Sequence, residues 1–569
     1  ITLSLNFIES FKPFAIGFDS MVLYHNTPNL LAQYQGLISG IAAYNYELLF
    51  SLGVFLFDSR MIGLSISLLG ALLAVGLLFE LLRKQFNWQE ALMLTTLFVS
   101  LPMNHFMMDI DFKIDLPLLF FSLLAIYSIV KWWKKREQNE LILAGIWLGI
   151  GMGIKYTTAI LMAVIFAFIA SLSWGVWGIF AIILASLGIF GFMGFDFYLE
   201  SFTQSTQTII NLAWIIIGGL FAVITIIKNG FTKKAIKPIL LIGLISLMIL
   251  SPWILRNGIQ TRSLSPHNLL FGQGPDPIFT AETFEMDSSS CEMASTYDEL
   301  EVYTGKHGAN SLSLLPIILW ESTVNSTIPN NRLTDISFLF LGFALFILFG
   351  LKEVQKEDKD FKKIVLFSIL YGLLWLFTSR GIVWYGMPLF FGLLIIYGRV
   401  WRTEKWPYFI VGLWLLMSLF LRFYETNTQV EPILYVGGVT DESIYFEQTQ
   451  EGGEAMMEIL NSEEALDQNI YLIGRFIDYF IEENDHRVYK DLVLSYFTCY
   501  FMDDDPQVTL DRLRQANFGY ILFSKDALTV EEEGSALHAE FERAEQFMEN
   551  YLVEEVYRPD MVLYSVPSS

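Results

Sequence analysis

Two short acidic segments lie among long apolar stretches and carry the side chains best suited to chemistry. The first is FDSMVLYHNTP, and the second is DIDFKID. A carboxylate at a membrane surface can act as a general base that removes a proton from an acceptor hydroxyl. The two segments therefore predict acid–base chemistry at one face of a membrane. Their candidate residues are Asp19, Tyr24 and His25 in the first segment, and Asp109, Asp111 and Asp115 in the second.

Each acidic segment also has a purely structural interpretation. Asp19 stands where a helix could begin, so its side chain could serve only as an N-cap. Asp111 and Asp115 are four residues apart and would share one helix face, with Lys113 off that face, in an ordinary interfacial turn. Asp109 and Asp111 alternatively form a DxD-like pair for sugar hydroxyls or a divalent metal. A lone DxD pair is a weak signal, so no cofactor is expected, although a divalent metal stays open.

Three cations stand at the ends of apolar stretches that we assign to the same membrane face: Lys155, Arg256 and Arg380. Long cationic side chains commonly reach toward the interface from such positions, so each alone has an ordinary structural explanation. Three from different helices on one face could instead bind a lipid phosphate and stabilise its negative charge when a sugar leaves.

The composition is that of a protein with many membrane spans. The chain has 569 residues, of which 54% are hydrophobic, and its mean hydropathy is +0.47. A helix needs about 20 apolar residues to cross the bilayer core. We expect about 12 to 13 transmembrane helices, one of them beginning upstream, since residue 1 is Ile and not Met. The candidate spans are 61–82, 89–106, 114–133, 141–155, 156–173, 175–195, 209–227, 237–255, 334–351, 363–378, 382–398 and 406–423.

Charge predicts the orientation of these spans. Lysines and arginines cluster in alternate loops, for example at Lys134 and Lys135, and the positive-inside rule places those loops in the cytoplasm. The loops that carry Asp19 and the DIDFKID segment then face outward. We expect an integral protein of the plasma (inner) membrane with an extracytoplasmic site and an extracytoplasmic C-terminal domain.

The charge is concentrated at the C-terminal end. Residues 425–569 contain 31 acidic and 8 basic residues, whereas residues 1–424 contain 28 of each. This contrast predicts a membrane domain over 1–424, with outer loops at 8–58 and 257–333, and an acidic domain over 425–569. The strand-like runs ILYVGG, NIYLIGR and FGYILFS, with helical patterns at 453–460 and 510–515, predict an α/β fold. So acidic a domain would repel nucleic acid, which excludes nucleic-acid binding as a function.

Two further patterns bear on packing. Gly145, Gly149 and Gly153 form a small-xxx-small stripe suited to close contact between helices rather than a nucleotide fingerprint. Cys291 and Cys499 both lie in segments assigned to the outside, where a disulfide between them is possible.

Taken in order, the motifs resemble the polyprenyl-phosphate-dependent membrane glycosyltransferases of the GT-C class. The branch most similar comprises protein O-mannosyltransferases, aminoarabinose transferases and lipopolysaccharide-core transferases. The resemblance is carried by FDSMVLYHNTP, DIDFKID, GMGIKYTT, SPWILRN and GIVWYGMP, and it spans roughly residues 15–400. It implies that Asp19 is the catalytic base and that Lys155, Arg256 and Arg380, with Tyr24 and His25, bind the donor phosphate.

The resemblance also implies partners and a reaction. These would be a polyprenyl-phosphate sugar in the membrane, an acceptor protein, lipid or glycan, and transfer with inversion of the sugar carbon. A WWD-type motif of oligosaccharyltransferases is not found in the sequence. Two alternatives stay open: a transporter, which would need ionisable groups within its spans, and a non-catalytic subunit bound to an envelope protein partner.

Overall fold

The structure is a computed structural model in which side chains, helices and strands are defined for most of the chain. The segments described below are residues 2–17, 19–34, 37, 43–57, 59–193, 195, 199, 203–230, 233–263, 265–271, 314–324, 335–337, 339–343, 361–401, 406–428, 432–449, 453–474, 480–481, 488–491, 495–524, 536–558 and 561–567.

The first three quarters of the chain are helical, as the apolar runs predict. The helices before the long outer loop are α1 (Thr2–Glu9), α2 (Thr27–Tyr34), α3 (Glu47–Phe57), α4 (Arg60–Arg83), α5 (Trp88–Val99), α6 (Pro102–Asp109), α7 (Asp115–Lys135), α8 (Gln138–Ile154), α9 (Thr158–Phe192), α10 (Gln204–Asn229), α11 (Lys233–Thr261) and α12 (Pro266–Phe271). Those after it are α13 (Ile318–Val324), α14 (Phe361–Thr378), α15 (Met387–Trp401) and α16 (Trp406–Thr428). A π-helical turn at Ser20–Tyr24 precedes α2.

Within the described segments, seven helices are long and apolar enough to cross a membrane, and eight if the bent pair α5–α6 forms one span. The prediction of a polytopic helical membrane protein is therefore confirmed. The span predicted at 334–351 lies mostly outside the described residues, so the full number of spans stays a prediction.

Two predicted spans, 156–173 and 175–195, meet in the single element α9. Its regular path breaks at Gly175, where φ is 62° and ψ is −149°. Glycine tolerates this left-handed backbone because it lacks a Cβ atom. The break falls at the first residue of the second predicted span, so the two spans correspond to the two parts of α9.

Helix α7 contributes to both large apolar cores of the membrane part. Leu116, Leu119 and Leu123 pack into one core, whereas Ile129 and Trp132 pack into the other. Helices α7 and α8 run antiparallel, so the N-terminus of α7 and the C-terminus of α8 lie at the same end of the bundle. The acidic and basic residues considered below are at this end.

A small domain follows α16 and has a five-stranded sheet. The predicted boundary at 424/425 falls within α16, which ends at Thr428. The strands are β1 (Asn469–Ile473), β2 (Val488–Asp491), β3 (Phe518–Ser524), β4 (Val553–Tyr557) and β5 (Met561–Ser565), in the order β2-β1-β3-β5-β4. β1 pairs in parallel with β2 and β3, and β5 pairs antiparallel with β3 and β4.

The helices of this domain are α17 (Pro432–Val436), α18 (Glu442–Thr449), α19 (Gly453–Leu460), α20 (Glu463–Leu466), α21 (Ser495–Tyr500), α22 (Pro506–Gln515) and α23 (Ala536–Tyr551). The predicted α/β class is confirmed, with strands at NIYLIGR and FGYILFS. The strand predicted at ILYVGG is wrong, because this run forms α17. Proline at its start suits the first turn of a helix, and Tyr435 packs its ring 5.5 Å from that of Tyr445.

The small domain is joined to the first outer loop by an aromatic cluster. Phe14 is 1% exposed, and its ring lies 5.4 Å from Tyr445, 5.8 Å from Phe446 and 4.9 Å from Phe480. Phe14 belongs to the same apolar cluster as Ile470 and Leu472 of β1. The loop that leads to Asp19 is thus anchored in the core of the C-terminal domain.

Two glycines of the α8 stripe, Gly145 and Gly149, face α11, whereas Gly153 faces Asn45. A Cβ atom at Gly149 would lie 2.7 Å from Cβ of Ile249 and 2.9 Å from the carbonyl oxygen of Ser246. We expect Gly149→Leu to separate the two helices and lower the midpoint of thermal unfolding in detergent by several degrees. Size-exclusion chromatography of heated samples would measure this midpoint.

Gly219→Leu is the matched control, because no atom lies within 4 Å of a Cβ atom at Gly219 in helix α10. Leucine is also the better helix former by about 1 kcal/mol, so the control should be neutral or stabilising. Equal stability of the two variants would contradict close packing of α8 on α11.

Candidate active site

The segment between α1 and α2, which the sequence analysis assigns to the first outer loop, lies against the turn between α6 and α7. The backbone N–H of Gly17 donates to the carbonyl oxygen of Ile110 at 3.1 Å, and that of Ile16 donates to the same oxygen at 3.3 Å. A Cβ atom at Gly17 would lie 2.1 Å from Oδ1 of Asp111. Only glycine allows the loop to approach the turn this closely, and Asp19 follows two residues later.

The turn itself is not helical. Phe112 has a φ of 45°, a left-handed conformation that is uncommon for a bulky residue. Its carbonyl oxygen accepts a hydrogen bond from Oγ of Ser67 at 2.8 Å and lies 3.4 Å from Nε2 of His25. Helix α7 begins only at Asp115, so Asp111 and Asp115 do not share a helix face, and the segment forms the turn before the next span.

Lys113 lies between the carboxylates of the two acidic segments. Its ammonium nitrogen contacts Oδ2 of Asp19 directly and lies 3.3 Å from Oδ2 of Asp111. The Lys113 side chain is 0% exposed and that of Asp111 is 2% exposed, whereas that of Asp19 is 15% exposed. Asp19 is therefore the member of this cluster that can meet a substrate.

Asp111, rather than Asp19, caps the π-helical turn after Asp19. Oδ1 of Asp111 accepts a hydrogen bond from the backbone N–H of Ser20 at 3.0 Å. Asp19 occupies the N-cap position but makes no side-chain cap hydrogen bond, so the N-cap interpretation of this residue is wrong. Burial is the main cause that raises the pKa of Asp111, and the Asp19 carboxylate also raises it, while Lys113 opposes the shift.

A second ion pair joins α7 to α8. Nζ of Lys155 lies 2.9 Å and 3.1 Å from the two carboxylate oxygens of Asp115, and it donates to the hydroxyl of Tyr24 at 3.2 Å. The same nitrogen lies 4.5 Å from the ring centroid of Tyr385. At the other end of the same helices, Lys131 pairs with Glu140.

The two ion pairs together carry an excess of negative charge. Asp19, Asp111 and Asp115 supply three carboxylates, and Lys113 and Lys155 supply two ammonium groups. With all five groups ionised, the cluster has a charge of −1.

The aromatic segment before α15 covers these lysines. The ring of Trp384 lies 4.3 Å from Nζ of Lys113, and Tyr385 lies over Lys155 as described above. A small cavity is lined by Asp115, Trp384 and Tyr385 together with Thr157 and Tyr371. The motif GIVWYGMP thus contributes to the site through Trp384 and Tyr385, which the sequence analysis did not single out.

The two predicted arginines lie on other elements. Arg256 donates from Nε to Oδ1 of Asn257 at 2.8 Å, and its guanidinium lies 5.5 Å from the ring of Tyr44 and 4.7 Å from that of Trp253. Arg380 is buried in the turn between α14 and α15, where its φ is 50°. The structure brings Lys155 and Tyr24 together, and binding of a donor phosphate by either arginine stays a prediction.

Two other predicted residues, His25 and Asp109, have structural surroundings. His25 stacks on Phe50, with ring centroids 4.4 Å apart, and Lys12 donates to the backbone carbonyl of Asp109. In the described part of the chain, no group of three or more His, Cys, Asp or Glu side chains is arranged to hold a metal ion. Cys291 is outside the described residues, so its disulfide with Cys499 stays a prediction.

Lys113 is the functional candidate that the sequence analysis missed. A regular helix would have directed Lys113 away from the face of Asp111 and Asp115. The left-handed backbone at Phe112 instead directs its side chain toward the carboxylates of Asp19 and Asp111. Its position two residues from both Asp111 and Asp115 in the sequence was the signal that could have indicated an ion pair.

Residues 43–195 match the sequence profile of a family described as dolichyl-phosphate-mannose-protein mannosyltransferase. This segment contains the DIDFKID and GMGIKYTT motifs, and the match confirms the resemblance to GT-C class glycosyltransferases. No curated protein sequence matches the chain.

Solved structures with a similar fold include the apo oligosaccharyltransferase of Archaeoglobus fulgidus, at 13% identity and a TM-score of 0.45, covering 92% of this chain and 69% of that one. They also include ArnT of Cupriavidus metallidurans bound to undecaprenyl phosphate, at 11% identity and a TM-score of 0.47, covering 100% of this chain and 97% of that one.

The buried imidazole of His25 makes stability depend on pH. Burial lowers the pKa of His25 from 6.5 to about 3, so the folded protein keeps the ring neutral. The stabilisation is present above pH 6.5 and is lost as the pH falls, because the unfolded chain then takes up the proton. The loss is about 1.4 kcal/mol at pH 5.5.

We therefore expect His25→Gln to lose less stability than the wild type between pH 7.5 and pH 5.5. Thermal unfolding in detergent at the two pH values would measure the difference. Identical pH dependence in the two proteins would show that folding does not lower the pKa of His25.

Proposed function

We propose that the chain is a membrane glycosyltransferase of the GT-C class, which transfers a sugar from a polyprenyl-phosphate donor to an acceptor outside the cytoplasm. The match of residues 43–195 to a mannosyltransferase family supports this proposal. The observation that carries this proposal is the partly exposed carboxylate of Asp19, held by the fully buried Lys113. A fixed carboxylate with an open side is what a general base requires.

The proposed reaction follows from the charges. The acceptor hydroxyl attacks the sugar carbon, and its proton moves to Asp19 as the new C–O bond forms. The bond between the sugar carbon and the phosphate oxygen breaks, and the carrier leaves as a polyprenyl phosphate. Attack from the side opposite the phosphate inverts the sugar carbon. No general acid is needed, since a phosphate is already a good leaving group when cations stabilise it.

On the donor side, Lys155 and Arg256 are the proposed cations. Each lies next to a residue that lines a small apolar cavity, whose walls include Met152, Tyr156 and Trp253. Tyr156 follows Lys155 in the chain, and Trp253 packs under Arg256. This adjacency supports Lys155 and Arg256 as the cations that bind the donor phosphate.

The site faces away from the basic loops. Asp115 and Lys155 are at one end of α7 and α8, whereas Lys134 and Lys135 are at the other. By the positive-inside rule this supports an extracytoplasmic site in the plasma membrane. The C-terminal domain, anchored through Phe14, would then support the catalytic loop on the outer face and leave its remaining surface for the acceptor.

The first test removes the base. Asp19→Asn keeps the shape of the side chain but cannot take up a proton, so we expect transfer to fall by a factor of about 10² to 10⁴. The assay would incubate purified protein with an envelope extract as the source of acceptors and a panel of undecaprenyl-phosphate sugars, with mannose first, and measure release of undecaprenyl phosphate.

Asp503→Asn is the matched control, because Asp503 pairs with Arg512 in the C-terminal domain and should keep wild-type activity. Release of carrier by Asp19→Asn at the wild-type rate would remove Asp19 from the mechanism. Lack of release by the wild type with every donor sugar would reject the proposed function itself.

A second test addresses the donor phosphate. Lys155→Met combined with Asp115→Asn removes a buried charge pair without leaving either partner alone, so folding should be retained. We expect the affinity for undecaprenyl phosphate to fall at least about tenfold, since a charge-assisted contact contributes more than 1.4 kcal/mol. Thermophoresis of the detergent-solubilised protein would measure binding.

The control for this test is Lys131→Met combined with Glu140→Gln. It removes an ion pair between the same two helices at their opposite end. This variant should bind undecaprenyl phosphate like the wild type. Equal loss of affinity in both double variants would indicate that the pairs act through helix packing and not through contact with phosphate.

A further inference from the structure

We propose that Lys113 is a built-in cation that holds Asp19 and Asp111 together in the place where a divalent metal would otherwise bind. The inference rests on the proposed role of Asp19 as base. Lys113 is thereby a positioning residue, because it acts on the substrate only through Asp19.

The first step of the argument is geometric. The Lys113 ammonium contacts carboxylates from two distant parts of the chain, Asp19 between α1 and α2 and Asp111 in the turn after α6. Carboxylates that converge on one point from separate loops form the arrangement that binds Mg²⁺ or Mn²⁺. Here an amino group of the protein occupies that point.

The second step concerns the fixation of Lys113. Its side chain is 0% exposed, and the ring of Trp384 covers the ammonium at 4.3 Å. The adjacent backbone is held by Ser67 through the carbonyl oxygen of Phe112. A buried ammonium with these partners cannot exchange with solvent cations, so it is a permanent part of the site.

The third step is electrostatic. A divalent ion would compensate both carboxylates, whereas one ammonium leaves a charge of −1 on the pair. When Asp19 accepts the acceptor proton, Asp111 still compensates Lys113, and the three groups become neutral. Proton transfer therefore changes the net charge of the buried cluster from −1 to 0. Mg²⁺, with its charge of +2, would lower the proton affinity of Asp19 more than a single ammonium group does.

The test replaces the tethered cation with a free one. Lys113→Ala leaves the two carboxylates and a space the size of an aminopropyl group. We expect this variant to bind Mn²⁺ at least about tenfold more tightly than the wild type, as measured by electron paramagnetic resonance. The combination of Lys113→Ala with Asp111→Asn has one carboxylate fewer and should lose this binding.

The activity test uses chemical rescue. Release of undecaprenyl phosphate should fall about 100-fold or more in Lys113→Ala, and ethylammonium or Mn²⁺ should restore it about tenfold. Rescue by Mn²⁺ should make this variant, but not the wild type, sensitive to EDTA. A residue with only a packing role would not produce a new dependence on metal.

Several outcomes would overturn the inference. These are Mn²⁺ binding by the wild type that depends on Asp19 and Asp111, absence of Mn²⁺ binding by Lys113→Ala, or failure of both cations to restore activity. If Lys113→Ala does not fold, the cations are added during expression, and recovery of monodisperse protein supports the inference while no recovery rejects it. Mn²⁺ binding needs no donor, so this result is independent of the proposed transferase reaction.

Discussion

The site depends on the contact of one buried ammonium group with two carboxylates. Lys113 connects Asp19 in the first outer loop with Asp111 in the turn between α6 and α7. Burying these charges is costly unless every member has a partner, so the loop and the turn must keep their relative positions. The close approach at Gly17 and the left-handed backbone at Phe112 are the local geometry that makes this contact possible.

The C-terminal domain is connected to the same loop. Phe14 lies in the domain's apolar core, five residues before Asp19. An aromatic residue buried among three other rings fixes the direction from which the chain enters the site. The acidic domain therefore has a structural role in positioning the loop. Binding of an acceptor to this domain would affect the position of Asp19, the proposed base.

Much of the fold follows from the sequence because apolar length and charge act locally. The helices α4, α7, α10 and α11 lie where long apolar runs predict them, and Gly175 separates two predicted spans where a left-handed backbone interrupts α9. The α/β class of the C-terminal domain was likewise predictable from alternating apolar runs. The strand prediction for the run ILYVGG was wrong, because a short apolar segment is compatible with a strand or a helix. Packing of Tyr435 against Tyr445 favours the helix.

The sequence predicted which segments contribute to the candidate site better than it predicted which residues pair with each other. The two acidic segments were correctly expected to share one end of the bundle, yet the pairing of Asp115 with Lys155 and of Asp19 with Lys113 needs contacts between residues 40 and 94 positions apart. The role of Lys113 was hidden because the conformation of one residue, Phe112, sets its direction. Helical periodicity carries no information about such a turn.

The most direct measurement is an experimental structure of the protein with undecaprenyl phosphate in a lipid nanodisc, solved by cryo-electron microscopy. We predict density for the phosphate at the end of α8, in contact with Lys155 or Arg256, and an open face of Asp19 directed toward the same cleft. A phosphate bound at the opposite end of the bundle, near Lys131, or an Asp19 carboxylate sealed from the cleft would contradict the proposed mechanism.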